Sequence, residues 1–220
     1  MELGTLTHPE YLTFFGPDGA PCRGARQEWF RDRWQRQAGC GPTTAATLLA
    51  YLSAAHPALA ALAPMGYDFT SFLSYMEAVW QDVTPGPRGL DSLGLFTQGS
   101  LRFARRRGIA LDCRELEIPG FKKLRPPLSQ CTDFLRSALS GDCPVGFLNF
   151  SNGSLTNLED WHWVPLISLR QESSGALLCA VLDGGEEKTV DFALWHATTR
   201  LGGGLTALLP GKSPGAAVNG

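Results

Sequence analysis

The residue best suited to covalent chemistry is Cys40, in the run Gly39-Cys40-Gly41-Pro42. Pro42 is typical of a first helical turn, and the Ala- and Leu-rich stretch 41–55 predicts the helix that follows. A thiol at a helix N-terminus feels the positive end of the helix dipole, which favours the thiolate. Flanking glycines would let a substrate approach and leave the Cys40 amide free to stabilise an oxyanion. The residue types fit equally well a buried cysteine that starts a core helix.

A thiolate nucleophile needs a base, and the chain offers four histidines: His8, His56, His162 and His196. His162 is the strongest candidate, because it opens an apolar stretch and its neighbours Trp161 and Trp163 would shield it from water. His56 would lie about 24 Å along the helix from Cys40, which is too far. His8 is near the chain start, and His196 follows a short predicted helix. The alternative for His162 is a core histidine in an aromatic cluster.

Asp183 is predicted to orient the imidazole. Residues 161–169 and 176–182 have the composition of strands, and a turn separates them. If they form a hairpin with Leu169 opposite Ala176, Asp183 lies opposite His162, with Cβ atoms about 4.5–5.5 Å apart. Asp183 could instead belong only to a turn with the two glycines after it. Glu159 and Asp160 are rivals that we expect in the preceding loop.

An acyl-transfer site often adds a side-chain amide to its oxyanion hole. Gln27, Gln35 and Gln37 all precede Cys40. Their spacing does not choose among them.

The elements around these residues divide into a helical first part and a strand-rich last part. Helices are predicted over 41–55 and 99–107, and two more are predicted to be capped by Thr70 and Thr132. Strands are predicted over 144–150, 161–169, 176–182 and 205–209, with a short helix capped by Asp191. Loops are predicted over 84–94 and 118–129.

This order of elements predicts an α+β fold with a helical N-terminal lobe and an antiparallel β-sheet in the C-terminal lobe. We expect a single domain over 1–210, divided at about residues 26–142 and 143–210, with the site between the lobes. Residues 211–220 are predicted to be a flexible tail.

Composition narrows the choice of partners. The 220 residues carry 19 Lys and Arg against 21 Asp and Glu, a net charge of -2, which gives no reason to expect nucleic acid or a membrane surface as partner. No apolar run reaches the about 18 residues of a membrane span. The sequence does not indicate an oligomeric state. The expected partner is a peptide or small amide substrate.

The cysteines indicate the compartment. Six of them are scattered without a C-x-x-C pair, which argues against a zinc site and a disulfide scaffold. With no secretory signal at the start, they favour reduced thiols and a cytoplasmic protein. The chemistry expected at Cys40 requires no metal or other cofactor.

Three stretches together resemble a known family: Gln35-Arg36-Gln37-Ala38-Gly39-Cys40-Gly41-Pro42-Thr43-Thr44-Ala45-Ala46, His162-Trp163-Val164 and Val181-Leu182-Asp183-Gly184-Gly185. They are similar to the family-39-like branch of cysteine peptidases, which includes bacteriocin-leader peptidase domains and shares the papain fold. The resemblance covers roughly residues 26–209. His162 follows Cys40 by 122 residues, near the separation of about 130–150 of papain-like enzymes.

The resemblance implies a papain-like fold and a triad of Cys40, His162 and Asp183. The family's glutamine usually lies a few residues before the cysteine, which favours Gln35. The run 24–30, Gly-Ala-Arg-Gln-Glu-Trp-Phe, resembles uncharacterised bacterial relatives and favours Gln27, which we choose.

The expected function is a thiol-dependent hydrolase that cleaves a peptide or amide bond. One alternative is an acyltransferase that uses the same thioester chemistry with an amine as acceptor. A second alternative is an inactive peptide-binding module, in which Trp80, Trp161, Trp163 and Trp195 line a groove.

Overall fold

A computed structural model describes residues 1–63 and 66–211 of the protein. The strands are β1 Glu2–Thr5, β2 Thr13–Phe15, β3 Pro21–Arg23, β4 Leu111–Pro119, β5 Val145–Asn149, β6 His162–Gln171, β7 Leu177–Asp183, β8 Glu186–Asp191 and β9 Gly202–Pro210. The α-helices are α1 Arg33–Ala38, α2 Cys40–Ala55, α3 Phe69–Trp80, α4 Leu93–Arg106, α5 Leu128–Ser140 and α6 Phe192–Thr198. The expected tail beyond Gly211 lies outside the described residues.

Helix α2 is the central helix of the molecule. Every residue from Gly41 to Ser53 is buried, which is the pattern of a helix enclosed on all sides. It packs against β6 on one side and α3 on another. Because Cys40 is its first residue, the helix that carries the thiol is fixed by the core along its whole length.

The strands form one antiparallel sheet of seven and a separate pair. The large sheet has the order β4-β9-β5-β6-β7-β8, and β1 pairs with β6 beyond the end of β5. Strands β2 and β3 form the small sheet. The prediction of an α+β fold with an antiparallel sheet is therefore confirmed.

The N-terminal part contributes more strands than the sequence indicated. Strand β4 comes from the range assigned to the helical lobe, yet it pairs along its length with β9, from Leu111↔Pro210 to Pro119↔Gly202. The predicted loop 118–129 is wrong at both ends, because β4 runs to Pro119 and α5 begins at Leu128. Alternation along β4 is weak, since most of its side chains are exposed or only half-buried.

Two predicted helix caps are also wrong. Helix α3 is capped by Asp68, whose Oδ1 accepts from the Ser71 amide at 3.0 Å, and not by Thr70. Thr132 lies inside α5, where its hydroxyl donates to the Leu128 carbonyl at 2.9 Å. In both cases the helix starts earlier, because Asp is the stronger cap and Pro127 fixes extended backbone just before α5. The cap at Asp191 is confirmed, with Oδ1 accepting from the Leu194 amide at 3.0 Å.

No helix within the described ranges is long and apolar enough to span a membrane. All six cysteines carry free thiols.

Arg125 joins the end of β4 to the end of α6. Its guanidinium donates to the carbonyls of Pro119 at 2.9 Å and Gly120 at 2.6 Å. It also donates to the carbonyls of His196 and Thr199. A planar guanidinium can satisfy several carbonyls at once, which an ammonium cannot.

Replacing Arg125 with Met should lower the free energy of unfolding by about 3 kcal/mol, because four carbonyls lose a charged donor. Arg125→Lys should recover little of this loss. The measurement is urea denaturation, with Lys123→Met as the control on an exposed neighbour. A change at Arg125→Met no larger than in the control would contradict this role.

Candidate active site

Cys40 occupies the mouth of α2 in a tightly packed setting. A Cβ at Gly39 would lie 2.3 Å from the Gln35 carbonyl oxygen, and one at Gly41 would lie 2.6 Å from Leu90 Cδ2. The space around both glycines is therefore filled by the protein itself. The expectation that these glycines let a substrate approach is wrong. The Cys40 side chain remains half-buried at the surface of the cleft. Its amide belongs to the first turn of α2, where N–H groups have no acceptor within the helix.

His162 and Asp183 meet at the ends of their strands. His162 Nε2 is 2.9 Å from Asp183 Oδ1, and their side chains are 13% and 10% exposed. This contact occupies Nε2 of the ring and not Nδ1, and the Cys40 side chain lines the same pocket as His162 and Asp183. The three side chains predicted from the sequence therefore come together in one place.

The predicted hairpin register was wrong, although the predicted contact forms. Leu169 pairs with Cys179 and not with Ala176, and a bulge lies between Leu166 and Ser168. Continued past its last pair, Leu166↔Val181, this register would place Asp183 diagonally across from His162, within reach of long side chains. The error arises because the turn between β6 and β7 lies further along the chain than the sequence pattern indicated: β6 continues to Gln171 and β7 begins at Leu177.

Strands β6 and β7 separate near the site. Their recorded pairing runs only from Leu166↔Val181 to Gln171↔Leu177, whereas His162–Leu166 pairs with β5. Pro165 lies in this part of β6 and cannot donate a ladder hydrogen bond. The separation opens a pocket between the two strands and α2.

Electrostatics favour an imidazolium at His162. Burial opposes the charge, but the hydrogen bond to Asp183 and the nearby Cys40 thiol outweigh it and raise the His162 pKa well above its ordinary value. Burial likewise opposes ionisation of Asp183, but hydrogen bonds from His162 and Lys188 hold its pKa well below the ordinary value. The site therefore stabilises a buried carboxylate beside a cationic ring.

Lys188 is a part of the site that the sequence analysis missed. Its Nζ donates to Asp183 Oδ2 at 2.8 Å, and its side chain is 34% exposed. The hydrogen bond to Asp183 raises the Lys188 pKa. Because Asp183 Oδ1 already faces His162, Lys188 fixes the second carboxylate oxygen and with it the orientation of the group. The sequence feature that could have identified Lys188 is the turn Asp183-Gly184-Gly185, which brings β8 back beside β7.

Gln27 lines the same pocket as Cys40 and His162, which has a volume of about 130 Å³. Its Nε2 donates to the Arg36 carbonyl at 3.1 Å, which leaves one N–H for another acceptor. Among the described residues, the buried oxygens Gln27 Oε1 and Thr43 Oγ1 have no hydrogen-bond partner, and both residues line this pocket. They are sites for an ordered water or a donor group of a substrate.

The rival glutamines lie elsewhere. Gln37 lines a separate groove on the other side of Cys40, and Gln35 is a residue of α1 whose carbonyl packs against Gly39. The geometry thus favours Gln27, which lines the pocket with His162, over the other two glutamines, which are not among its lining residues.

The rival acids and histidines have other partners. Asp160 accepts from the Asn152 amide, and the Glu159 carbonyl accepts from Asn149 Nδ2 at 2.6 Å, so both belong to the loop before β6. The other histidines have partners away from the site: His8 contacts Glu10, His56 contacts the Asp142 carbonyl, and His196 contacts the Pro126 carbonyl. Trp80 and Trp195 are buried and do not line a groove with Trp161.

Three other thiols are in settings that suppress reactivity. Burial raises the pKa of Cys131 to about 11 and that of Cys143 to about 12, and it raises the pKa of Cys179 further. Cys22 and Cys113 are half-exposed but lie outside the pocket with His162. Cys40 alone combines partial exposure with an adjacent imidazole in the described part of the chain.

No protein-family model matches the chain, and no curated protein matches it. The chemistry of the site has to be inferred from its own geometry. A thiol at a helix mouth, an imidazole beside it and a carboxylate behind the imidazole can generate a thiolate and return a proton to a leaving group.

Asp183→Asn should lower the His162 pKa, because it removes the carboxylate that stabilises the imidazolium. The His162 pKa is higher in the folded protein than in the unfolded chain. The ion pair therefore contributes its full stabilisation below about pH 6.5, and this contribution is lost as the pH rises through the folded-state pKa. At pH 8, the ring-nitrogen shifts of His162 in NMR spectra should indicate imidazolium in the wild type and neutral imidazole in the variant.

His196 provides an internal reference, because burial lowers its pKa and its ring should be neutral at pH 8 in both proteins. A neutral His162 in the wild type, or the same titration in both proteins, would exclude the described ion pair.

Proposed function

We propose that the protein is a papain-like cysteine peptidase, a thiol-dependent hydrolase that cleaves a peptide or amide bond. The single observation that carries this function is the 2.9 Å contact between His162 and Asp183 in the pocket that Cys40 also lines. A structural histidine needs neither an ionised carboxylate nor an adjacent thiol. A histidine that activates a thiol nucleophile lies beside that thiol and is oriented by a third group.

The reaction begins with the Cys40 thiolate and the His162 imidazolium. The sulfur attacks the carbonyl carbon, and the oxygen gains charge that the Cys40 amide and Gln27 Nε2 stabilise. His162 then gives its proton to the leaving amine as the C–N bond breaks and a thioester remains. Water, deprotonated by His162, hydrolyses the thioester and regenerates the thiolate. Asp183, held by Lys188, keeps the ring nitrogens in the required orientation throughout.

The architecture around the site supports a papain-like fold. The nucleophile begins a buried helix, and the histidine and aspartate lie on neighbouring strands of an antiparallel sheet that packs against that helix. The order along the chain is Cys, His, Asp, as the resemblance to the family-39-like cysteine peptidases implies.

Each step of the proposed reaction uses side chains of the chain itself and a water molecule. The state of the cysteines bears on where the protein would act. The six cysteines carry free thiols, the state that a reducing compartment maintains, so we expect the enzyme to act in the cytoplasm.

At pH 7, iodoacetamide should label Cys40 about 30-fold faster than an ordinary thiol. An ordinary cysteine with a pKa near 8.5 is only about 3% ionised at this pH, whereas in the proposed mechanism His162 accepts the proton of Cys40 before the sulfur attacks. His162→Ala should remove most of this advantage. The measurement is the rate of labelling at each thiol by mass spectrometry.

Cys22 provides an ordinary, half-exposed thiol in the same molecule, and His8→Ala is the matched control for removing an imidazole. If Cys40 reacts no faster than Cys22, the residue is an inert thiol and the binding-module alternative replaces the proposed function.

Hydrolysis can be tested without knowledge of the natural substrate. In ¹⁸O-water, a library of peptides incubated with the wild type should acquire new C-termini that carry ¹⁸O, and Cys40→Ser should lower their yield at least 1,000-fold, on the order of other nucleophile losses. EDTA should have no effect. Acyl transfer to added amines without ¹⁸O-labelled products would instead identify a transferase.

A further inference from the structure

The cleft continues beyond the pocket with His162 into a second, larger groove. This groove has a volume of about 400 Å³, and Cys40 and Trp163 border both spaces. Its walls include Trp34, Pro87, Arg88, Leu90 and Trp161. A peptide bound across Cys40 would therefore have the pocket on one side and this groove on the other available to its two parts.

Two of the walls are exposed tryptophans. Trp34 is 43% exposed and Trp161 is 45% exposed, whereas the other four tryptophans are at most 9% exposed. Exposed indoles next to a nucleophile leave a large apolar area in water. Burying such area against a ligand is favourable and gives aromatic rings a specific geometry to contact.

Trp161 is held in a strained conformation. Its φ is 58°, in the left-handed region that a bulky residue rarely adopts. The Nε1 atom donates to the Arg88 carbonyl at 2.9 Å, and the ring packs on Phe150 with centroids 4.6 Å apart. Backbone strain of this kind clusters at ligand-binding and active sites, where the surrounding contacts maintain it. The indole is thus preorganised directly beside His162.

The floor of the groove is rigid as well. Trp163 is buried, stacks on Phe96 with centroids 4.4 Å apart, and donates from Nε1 to the Leu90 carbonyl at 2.7 Å. Together the two indole N–H groups bind the chain segment at Arg88 and Leu90. The groove therefore has fixed walls on both sides, which suits selection of a side chain.

Two observations define the occupant. His162, which protonates the leaving group in the proposed reaction, lines the pocket and not the groove, so the leaving group belongs in the pocket and the acyl part in the groove. The groove's charged lining residue is Arg88, whose guanidinium already pairs with Asp91 at 2.7 Å, and no carboxylate lines the groove in the described part of the chain. A cationic side chain would therefore find no counter-charge in the groove lining, although indoles alone would accept one.

We propose that the groove of Trp34 and Trp161 binds the acyl part of a peptide substrate through an aromatic side chain close to the scissile carbonyl. This inference rests on the proposed function and specifies its substrate class. The aromatic ring would contact the exposed indole faces, while the leaving amine departs on the His162 side.

The experiment compares peptide chloromethyl ketones, which alkylate a thiolate with loss of chloride. The reagents are acetyl-Phe-Gly, acetyl-Gly-Phe, acetyl-Lys-Gly and acetyl-Gly-Gly chloromethyl ketone. Each rate at Cys40 is divided by the rate of the same protein with iodoacetamide, so that a general change in nucleophilicity cancels. At least one phenylalanyl reagent should exceed the glycyl and lysyl reagents about tenfold.

The tryptophan variants locate the effect, which is the ratio of the normalised rate of the phenylalanyl reagent to that of the glycyl reagent. Trp34→Ala and Trp161→Ala should each bring this ratio towards one, and Trp161→Phe should retain part of it. Phe121→Ala, which removes an exposed aromatic side chain outside the groove, should keep the ratio of the wild type. A ratio near one in the wild type, or a tenfold ratio that survives both alanine variants, would overturn the assignment.

A second measurement separates this inference from the proposed function. Saturation-transfer NMR with acetyl-Phe-Gly amide and the Cys40→Ala protein requires no reactive thiol. Ring signals that are lost in Trp161→Ala support the groove even if Cys40 proves unreactive towards iodoacetamide. A reactive Cys40 with no ring contact would leave the hydrolase in place and exclude the aromatic site.

Discussion

The hydrogen-bonded pair of His162 and Asp183 is the interaction on which the rest of the site depends. Taking an imidazolium and a carboxylate out of water is costly unless each finds a partner of opposite charge and good geometry. Asp183 has two such partners, with His162 on one oxygen and Lys188 on the other. The turn after β7 supplies the second of them, so this hairpin is part of the site and more than a connection.

The position of the thiol depends on a different constraint, the packing of α2. A fully buried helix cannot rotate or slide without disrupting the core around it. Gly39 and Gly41 allow Phe30 and Leu90 to pack directly against its first turn. These contacts fix Cys40 beside the start of β6, at the pocket where β6 and β7 separate and which His162 also lines.

The loop before α4 connects the thiol with the strand of the histidine. Leu90 packs on Gly41, and its carbonyl accepts from Trp163 Nε1. The neighbouring Arg88 carbonyl accepts from Trp161 Nε1. A single segment therefore contacts both the helix of Cys40 and the two residues that flank His162. We infer that these contacts maintain the distance between Cys40 and His162.

Sequence alone determined the chemistry-bearing residues. Cys40 could be chosen because glycine and proline around a cysteine define a helix mouth, and His162 because the other three histidines lay in unsuitable positions. The α+β class and the antiparallel sheet followed from helical and strand-like periodicity, which is a local property of the chain. The contact of His162 with Asp183 was also predicted, although from a register that the structure corrects.

Tertiary structure decided what depends on long-range geometry. The pairing of β4 with β9, the bulge in β6 and the offset of the hairpin arise from competition among many strand contacts, which no local pattern encodes. Lys188 entered the site, and Gln27 was favoured over Gln35 and Gln37, because folding set the distances between side chains from separate elements. The sequence thus determined which groups could react, and the packing of α2 against the sheet determined which of them meet.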